Sequence, residues 1–483
     1  MGERLAFGYG TSRHGGDAPS RGDTPPPSPP TGGVSAAALP AAPARRDWAF
    51  IGLLTFTALL FFRPQDQFAP LQPFHLAEIS AVIALIAMMA GRLSRGLPVT
   101  RLNPELLGVV ALGGVMLITA PFSIWTGGAV STFTELYVKV ILIFVLMVNT
   151  VLSPKRIEQF TWLIILATGY IAFRACFDYG RGINLVENGR VRGAVGGMFN
   201  NPNDLALNMV AVIPLALSFA FRKVSLFRRA IAVGCALMMF MTVVASHSRS
   251  GSLGLAAAII MMAALTLKRK PGLVAAGVIA TVLALPMLPA SYWHRIASIT
   301  DDNKDETASR QARSTLMRES YATFLEHPLT GVGAGQFQNY KPEGRTEAWR
   351  ESHNAFLQVA AELGILGLVV FVFLTFRGFY GPMQARHLLK RSEPRASRGH
   401  PDPEPDVLTA DDREMLMAHA AAASAAFAGW FVCAIFASVA YQWTLYYLLA
   451  LALAPREYLM DRMKAARPAR RSAVAPVVAE ARA

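Results

Sequence analysis

The sequence predicts an all-α protein that crosses a membrane many times, with about twelve transmembrane helices and one long loop on the outer face. Three observations carry this. Of 483 residues, 53% are hydrophobic and only 16% are charged, whereas a soluble domain carries about a quarter charged residues. Apolar runs recur at the length a bilayer requires, and twelve spans of about 20 residues would use roughly 240 residues. The connections on one side of those runs are basic, which is the mark of a cytoplasmic side.

In chain order, residues 1–47 are rich in Gly, Pro, Ser and Ala, including Thr24-Pro25-Pro26-Pro27-Ser28-Pro29-Pro30, and hold no apolar run suited to a signal peptide. They read as a disordered cytoplasmic tail. The first apolar run begins at Trp48, just behind Arg45 and Arg46, so the first span is expected to act as an uncleaved anchor with its N-terminus inside. Spans are expected near 48–62, 74–91, 104–124, 132–152, 157–177, 203–221, 230–246, 250–267, 272–290, 353–376, 416–437 and 441–455. The cytoplasmic connections then contain Arg92, Arg95 and Arg101; Lys155 and Arg156; Arg222, Lys223, Arg228 and Arg229; and Lys268, Arg269 and Lys270. Segments 377–415 and 456–483 add seven Lys or Arg each, while the opposite 125–131 connection has none. Both termini are therefore expected inside.

This topology places 291–352 outside. With eight Lys or Arg against nine Asp or Glu, it is too polar to be embedded throughout and too long for a simple connection, so it is either functional or a small folded lid. The 377–415 segment, with Pro394, Pro401, Pro403 and Pro405 among charges, reads as a solvated linker. The net charge of +14 is accounted for by inside-facing loops, without nucleic acid as a partner. Cys176, Cys235 and Cys433 lie far apart in apolar runs, which suits packing and gives neither a disulfide framework nor a zinc site.

Four outer elements carry chemistry. Arg190-Val191-Arg192-Gly193 leads through Gly196-Gly197 to Asn200-Asn201-Pro202-Asn203-Asp204, a donor-rich turn suited to an anionic group. The competing reading is a polar turn whose arginines snorkel to lipid headgroups. Ser246-His247-Ser248-Arg249-Ser250-Gly251 is a tight hairpin that holds Arg249 at the membrane boundary, where a cation needs an anion or lipid phosphate. In the long loop, Arg310 and Arg313 precede Met317, Tyr321, Phe324 and Leu325 at helical spacing, then His327-Pro328-Leu329-Thr330-Gly331-Val332-Gly333-Ala334-Gly335. An amphipathic helix lying on the membrane, followed by a glycine turn, fits this pattern. The Gly-x-Gly-x-Gly run lacks the strand and helix of a dinucleotide fold, which is rejected. Finally, His353-Asn354 is followed after nine residues by Gly364-Ile365-Leu366-Gly367. A neutral imidazole there can take a proton from a hydroxyl, and the two glycines would let a helix approach closely.

A polar pair and a polar stripe lie within spans, where charged groups are functional candidates unless they have a structural role. Glu135 and Lys139 stand i,i+4 and are expected to neutralise each other. Asn354, Gln358 and Glu362 form a similar stripe, lining an acceptor route or bonding between helices.

Together these motifs resemble the O-antigen ligase and Wzy-type polymerase superfamily, membrane glycosyltransferases that use undecaprenyl-diphosphate-linked glycans. His353, Asn354, Gly364 and Gly367 match the family's His-Asn, nine residues, Gly-x-x-Gly signature. Pro328-x-x-Gly331-x-Gly333 with Arg313 upstream, Arg249 with Leu253, and Arg190-x-x-Gly193 with Asn200–Asn203 resemble its other segments. Phe62-Arg63-Pro64-Gln65 is similar to O-glycosylation ligases that accompany exosortase systems. The resemblance implies a GT-C-like fold in the bacterial inner membrane with a periplasmic site, and transfer of a saccharide to a lipid A-core or other acceptor hydroxyl. It implies no metal and no cofactor, with Arg190, Arg249 and Arg313 on the diphosphate and His353 as base. Ligase and polymerase share this donor chemistry. A small-solute transporter is the alternative of another class, against which the sequence shows no matched pair of broken spans.

Overall fold

The computed structural model describes residues 47–186, 189–284, 286, 292–293, 297, 309–340, 351–391 and 408–480. The N-terminal tail, most of the loop before 309, and the centre of the 377–415 linker lie outside the described residues.

The chain is mostly helical. Its longer helices are α1 (Trp48–Phe62), α2 (Leu76–Leu93), α3 (Pro104–Thr119), α4 (Thr126–Thr150), α5 (Pro154–Arg181), α6 (Pro202–Leu217), α7 (Leu226–Ala245), α8 (Arg249–Thr266), α9 (Pro271–Ala284), α10 (Ser309–Glu326), α11 (Ala355–Arg391), α12 (Ala410–Ala434) and α13 (Trp443–Glu480). A helix thus overlaps each predicted span. Among the described residues, eight helices are long and apolar enough to cross a membrane, and α1 and α6 are shorter apolar helices. A small antiparallel hairpin, β1 (Leu185–Val186) with β2 (Arg190–Val191), interrupts the helical pattern. The sequence reading had a plain turn there.

Local chemistry explains the helix starts. Asn103, Ser153, Ser225, Ser248 and Thr409 each accept a backbone N–H of the first turn through the side chain, satisfying donors that a helix leaves open. Proline follows the cap at α3, α5 and α6, where its missing N–H costs nothing.

Packing follows from small residues, since lipid gives little hydrophobic drive for one helix to leave it for another. The alanine-rich α12 is buried along most of its length and packs against α6, α8 and α11. A Cβ at Gly254 would run into Cys433 and the Gly429 carbonyl, and one at Gly429 would press on Val210 and Ala258. These glycines bring α8 and α6 against α12.

At one end the basic connections are tied together. Asp47 pairs with Arg156, Arg101 with Asp461, Glu158 with Arg222 and Arg228, and Lys270 with Glu414. Just inside this end, fully buried Glu105 on α3 accepts from Arg377 on α11 and Arg456 on α13, and Arg456 also pairs with Glu457.

The expected Glu135–Lys139 pair is corrected. Lys139 pairs with Glu78 of α2 at 2.8 Å, and Glu135 accepts from the Ser131 hydroxyl. The intervening Thr132–Tyr137 turn is a π-helix, so the angular step on which an α-helical i,i+4 pair depends does not hold there.

Candidate active site

The motif residues gather at the opposite end of the helices from the basic connections. Arg190 on β2 donates from Nε to the Ser246 carbonyl (3.0 Å) and from Nη2 to Oδ1 of Asn203 (2.8 Å). The Ser248 hydroxyl donates to that same Oδ1 (2.9 Å) and accepts the Gly251 N–H as the cap of α8. Arg249 is the first residue of α8 and is half-buried. Three segments separate in sequence therefore form one corner: the arginine strand, the Asn-Pro-Asn start of α6 and the α7–α8 hairpin. The corner is tight because Gly251 lies against Ala206, with no room for a side chain.

The loop between β2 and α6 folds around Phe199, whose carbonyl accepts the Gly193 N–H and whose ring packs near Phe61 and Trp443. Gly197 has φ +68, and a Cβ there would collide with the Arg63 guanidinium. The Phe62-Arg63-Pro64-Gln65 segment thus sends a further cation to this loop, a role the sequence reading did not give it.

The second corner is built on α11. His353 has φ 53, and its N–H donates to the Ser438 hydroxyl (2.9 Å), which also bonds Ser352 (3.1 Å). Asn354 accepts the N–H groups of Phe356 and Leu357, so the Asn of the signature caps the helix directly after the histidine. A left-handed residue on a capped helix end, held from the α12–α13 turn, has its backbone orientation fixed.

The two signature glycines act differently from the expectation of a helix–helix approach. Gly364 has φ 65 and breaks α11. The loop 328–335 docks onto this break. Val332 and Gly333 donate to the carbonyls of Ala361 and Glu362, Ile365 donates to Pro328, and Gly335 donates to the Glu362 carboxylate (2.8 Å). A Cβ at Gly364 would strike the Leu329 backbone, and one at Gly331 the Glu362 backbone. Gly367 makes room for Leu363 of its own helix. The close neighbour is the glycine loop, and the Pro-x-x-Gly-x-Gly and Gly-x-x-Gly motifs are two halves of one contact.

The Asn354, Gln358 and Glu362 stripe bonds between segments. Asn354 caps, Gln358 accepts the Ala440 N–H (3.3 Å), and Glu362 holds Gly335.

Arg313 stands on α10. It precedes buried Leu316, Ser320 and Thr323 on the side of α10 that packs on α11, and it is itself half-buried.

Asp204, named in the sequence only as the end of the donor-rich turn, joins the two corners together with Gln442, Glu351 and Tyr441, which the sequence reading did not single out. Asp204, next to Asn203, lies beside the Gln442 side chain and faces Glu351, two residues before His353. Glu351 as a residue is exposed, yet its carboxyl is surrounded closely enough that loss of water pushes it above the ordinary carboxylate range, with a bond from Ser438 partly offsetting the rise. The Tyr441 hydroxyl is buried near Glu362. Their signal was present in part: acidic and amide side chains at the ends of apolar runs are costly unless used or paired. Among the described residues, no group of three or more His, Cys, Asp or Glu could hold a metal ion.

No curated protein matches the chain. Residues 234–372, which run from α7 into α11 and include Arg249, Arg313, His353, Gly364 and Gly367, match the O-antigen ligase family model. The matched stretch, under a third of the chain, is similar to that family and supports an O-antigen ligase or Wzy-type assignment.

Proposed function

We propose that the protein is a glycan ligase of the bacterial inner membrane that moves a saccharide from undecaprenyl diphosphate to an acceptor hydroxyl, such as lipid A-core, on the periplasmic face. In this reading the chain crosses twelve times with both ends inside, and the motif end faces the periplasm. The observation that carries it is the convergence of Arg190, Asn203, Ser248 and Arg249 in one corner.

Arg190, Arg249 and Arg313 neutralise the diphosphate as it leaves, since charge that develops on a leaving group is best met by preorganised donors. The two bonds from Arg190 to the Ser246 carbonyl and Asn203 fix its plane. His353 takes the proton from the acceptor hydroxyl while that oxygen attacks the anomeric carbon and the carbon–oxygen bond to the diphosphate breaks. Direct displacement with no enzyme nucleophile inverts the anomeric centre. The arginines supply the positive charge, so the scheme uses no metal or cofactor.

A Wzy-like polymerase shares every step except the acceptor. The discriminating experiment gives the purified protein a carrier-linked glycan with either lipid A-core or a second carrier-linked glycan, and measures release of undecaprenyl diphosphate. Release with the lipid acceptor supports the ligase; release only with the carrier-linked acceptor assigns the polymerase; release with neither overturns both and favours a transporter. Topology is tested by Thr315→Cys and Lys223→Cys with an impermeant thiol reagent in cells with a permeabilised outer membrane. Only the first should be labelled, and labelling of position 223 reverses the orientation.

A further inference from the structure

The helix of the long loop has three faces of different chemistry. Leu316, Ser320 and Thr323 are buried against α11. At about 100° per residue, Met317, Phe324, Tyr321 and Leu325 fall on one flank of that buried stripe and Thr315, Ala322 and Glu326 on the other, with Arg318 at the boundary, nearly in line with Leu325. The polar flank is exposed. So is much of the apolar flank: Tyr321 is 54% and Leu325 57% exposed, and Leu329 just beyond the helix is 68% exposed.

This apolar surface is continuous with that of a spanning helix. The Ile365 N–H donates to Pro328, which sets Leu329 beside the upper end of the exposed α11 stripe Leu366, Val369, Phe373 and Phe376. The Ile124 N–H donates to Val332, so exposed Phe122 and Trp125, at the end of candidate span α3, lie at the same level. Water on this surface would leave a contiguous apolar patch exposed on a folded protein, which monomers rarely tolerate.

We infer that α10 is seated in the bilayer, with Tyr321, Leu325 and Leu329 in contact with phospholipid, Thr315 and Glu326 in water, Arg318 at the boundary where its guanidinium reaches the headgroups, and the glycine loop re-entrant beside the break in α11. Tyr321 and Trp125 take the headgroup level, where amphipathic aromatics settle. Residues 309–335 are thereby an extension of the membrane surface of the bundle. The inference stands on exposure and continuity and does not require the proposed reaction.

The test uses the full-length protein in nanodiscs of defined phosphatidylcholine and phosphatidylglycerol, with p-benzoylphenylalanine in place of Leu325, Leu329 or Ala322. After irradiation, mass spectrometry should find phospholipid adducts at 325 and 329 at least several-fold above those at 322, which lies on the polar flank. Equal adducts at all three positions, or a protein–protein adduct at 325 in their place, would overturn it, the latter by showing a second copy on this face. As a second measurement, spin labels at 325 and 322 in a variant with Cys176, Cys235 and Cys433 replaced by alanine should collide preferentially with oxygen and with a water-soluble nickel complex respectively. Equal nickel access at both sites would contradict the seating.

Discussion

Glu105 and Arg190 are both charged residues near helix ends, and the molecule treats them in opposite ways. Glu105 is buried between Arg377 and Arg456, opposite charges meeting directly. Arg190 donates to a carbonyl and an amide oxygen, bonds that orient a guanidinium. Charge at the basic end is spent on locking α3, α11 and α13 together. At the motif end, Ser246, Asn203 and Ser438 fix the orientation of Arg190 and of the His353 backbone. The comparison teaches that buried polar groups lock helices together at one end and aim individual side chains or backbone at the other.

Activity separates the two ends most sharply. His353→Ala should lower turnover by about 100-fold or more, the usual scale for losing a general base, with thermal stability kept because Ser438 and Asn354 hold the backbone. Turnover of the parent should fall on acidification as the imidazole takes up a proton. Near-normal turnover with weakened donor binding would make the histidine a ligand.

Arg249→Ala and Arg313→Ala should each cost about 10- to 100-fold in transfer, the worth of a charge-assisted hydrogen bond, and lysine should rescue poorly because it lacks the planar fork. Full activity of both alanine variants would remove them from the site. Arg190→Ala carries the same expectation, with Arg192→Ala as the control for its neighbour.

The basic end should answer in stability and not in chemistry. Glu105→Gln leaves buried Arg456 with Glu457 as its carboxylate and takes the opposing charge from Arg377, and breaking a buried pair costs up to about 3–5 kcal/mol. The melting temperature in detergent should drop clearly, while turnover per folded molecule stays near that of the parent. Equal stability would mean that the network contributes little.

Gly364→Ala should lower both stability and activity, because a side chain would meet the Leu329 backbone at a positive φ, a strain of order 1–3 kcal/mol. The smallest effect is expected at Glu351. Its carboxyl is raised in the fold, so the folded state prefers the protonated form and loses stability as pH rises through the raised value. Glu351→Gln should therefore melt slightly higher than the parent at neutral pH, with the gap closing in acid. A gap that widens in acid would reverse the sign.

The helices were legible because apolar runs bounded by Asn-Pro, Ser-Pro or a lone Ser announce their own starts, as at Asn103, Ser153 and Ser248. The site residues were legible as motifs, and the structure gives several of them a physical job, such as the cap at Asn354. What stayed hidden was long-range. Glu105 meets partners 272 and 351 residues away, and no local spacing announces that. The Glu135–Lys139 reading failed because a π turn changed the periodicity it assumed. Gly364 was visible as a glycine, but its partner, a loop some thirty residues earlier, was not.

The central claim is that the motif end transfers a glycan from a lipid diphosphate with His353 as the base. The most direct measurement is a single-turnover reaction of the purified protein with carrier-linked glycan and acceptor, following released undecaprenyl diphosphate and the anomeric configuration of the product. The account predicts one diphosphate released per glycan transferred, an inverted anomeric centre, and loss of both in His353→Ala while donor binding persists. Retention of configuration, or undiminished release in His353→Ala, would contradict it.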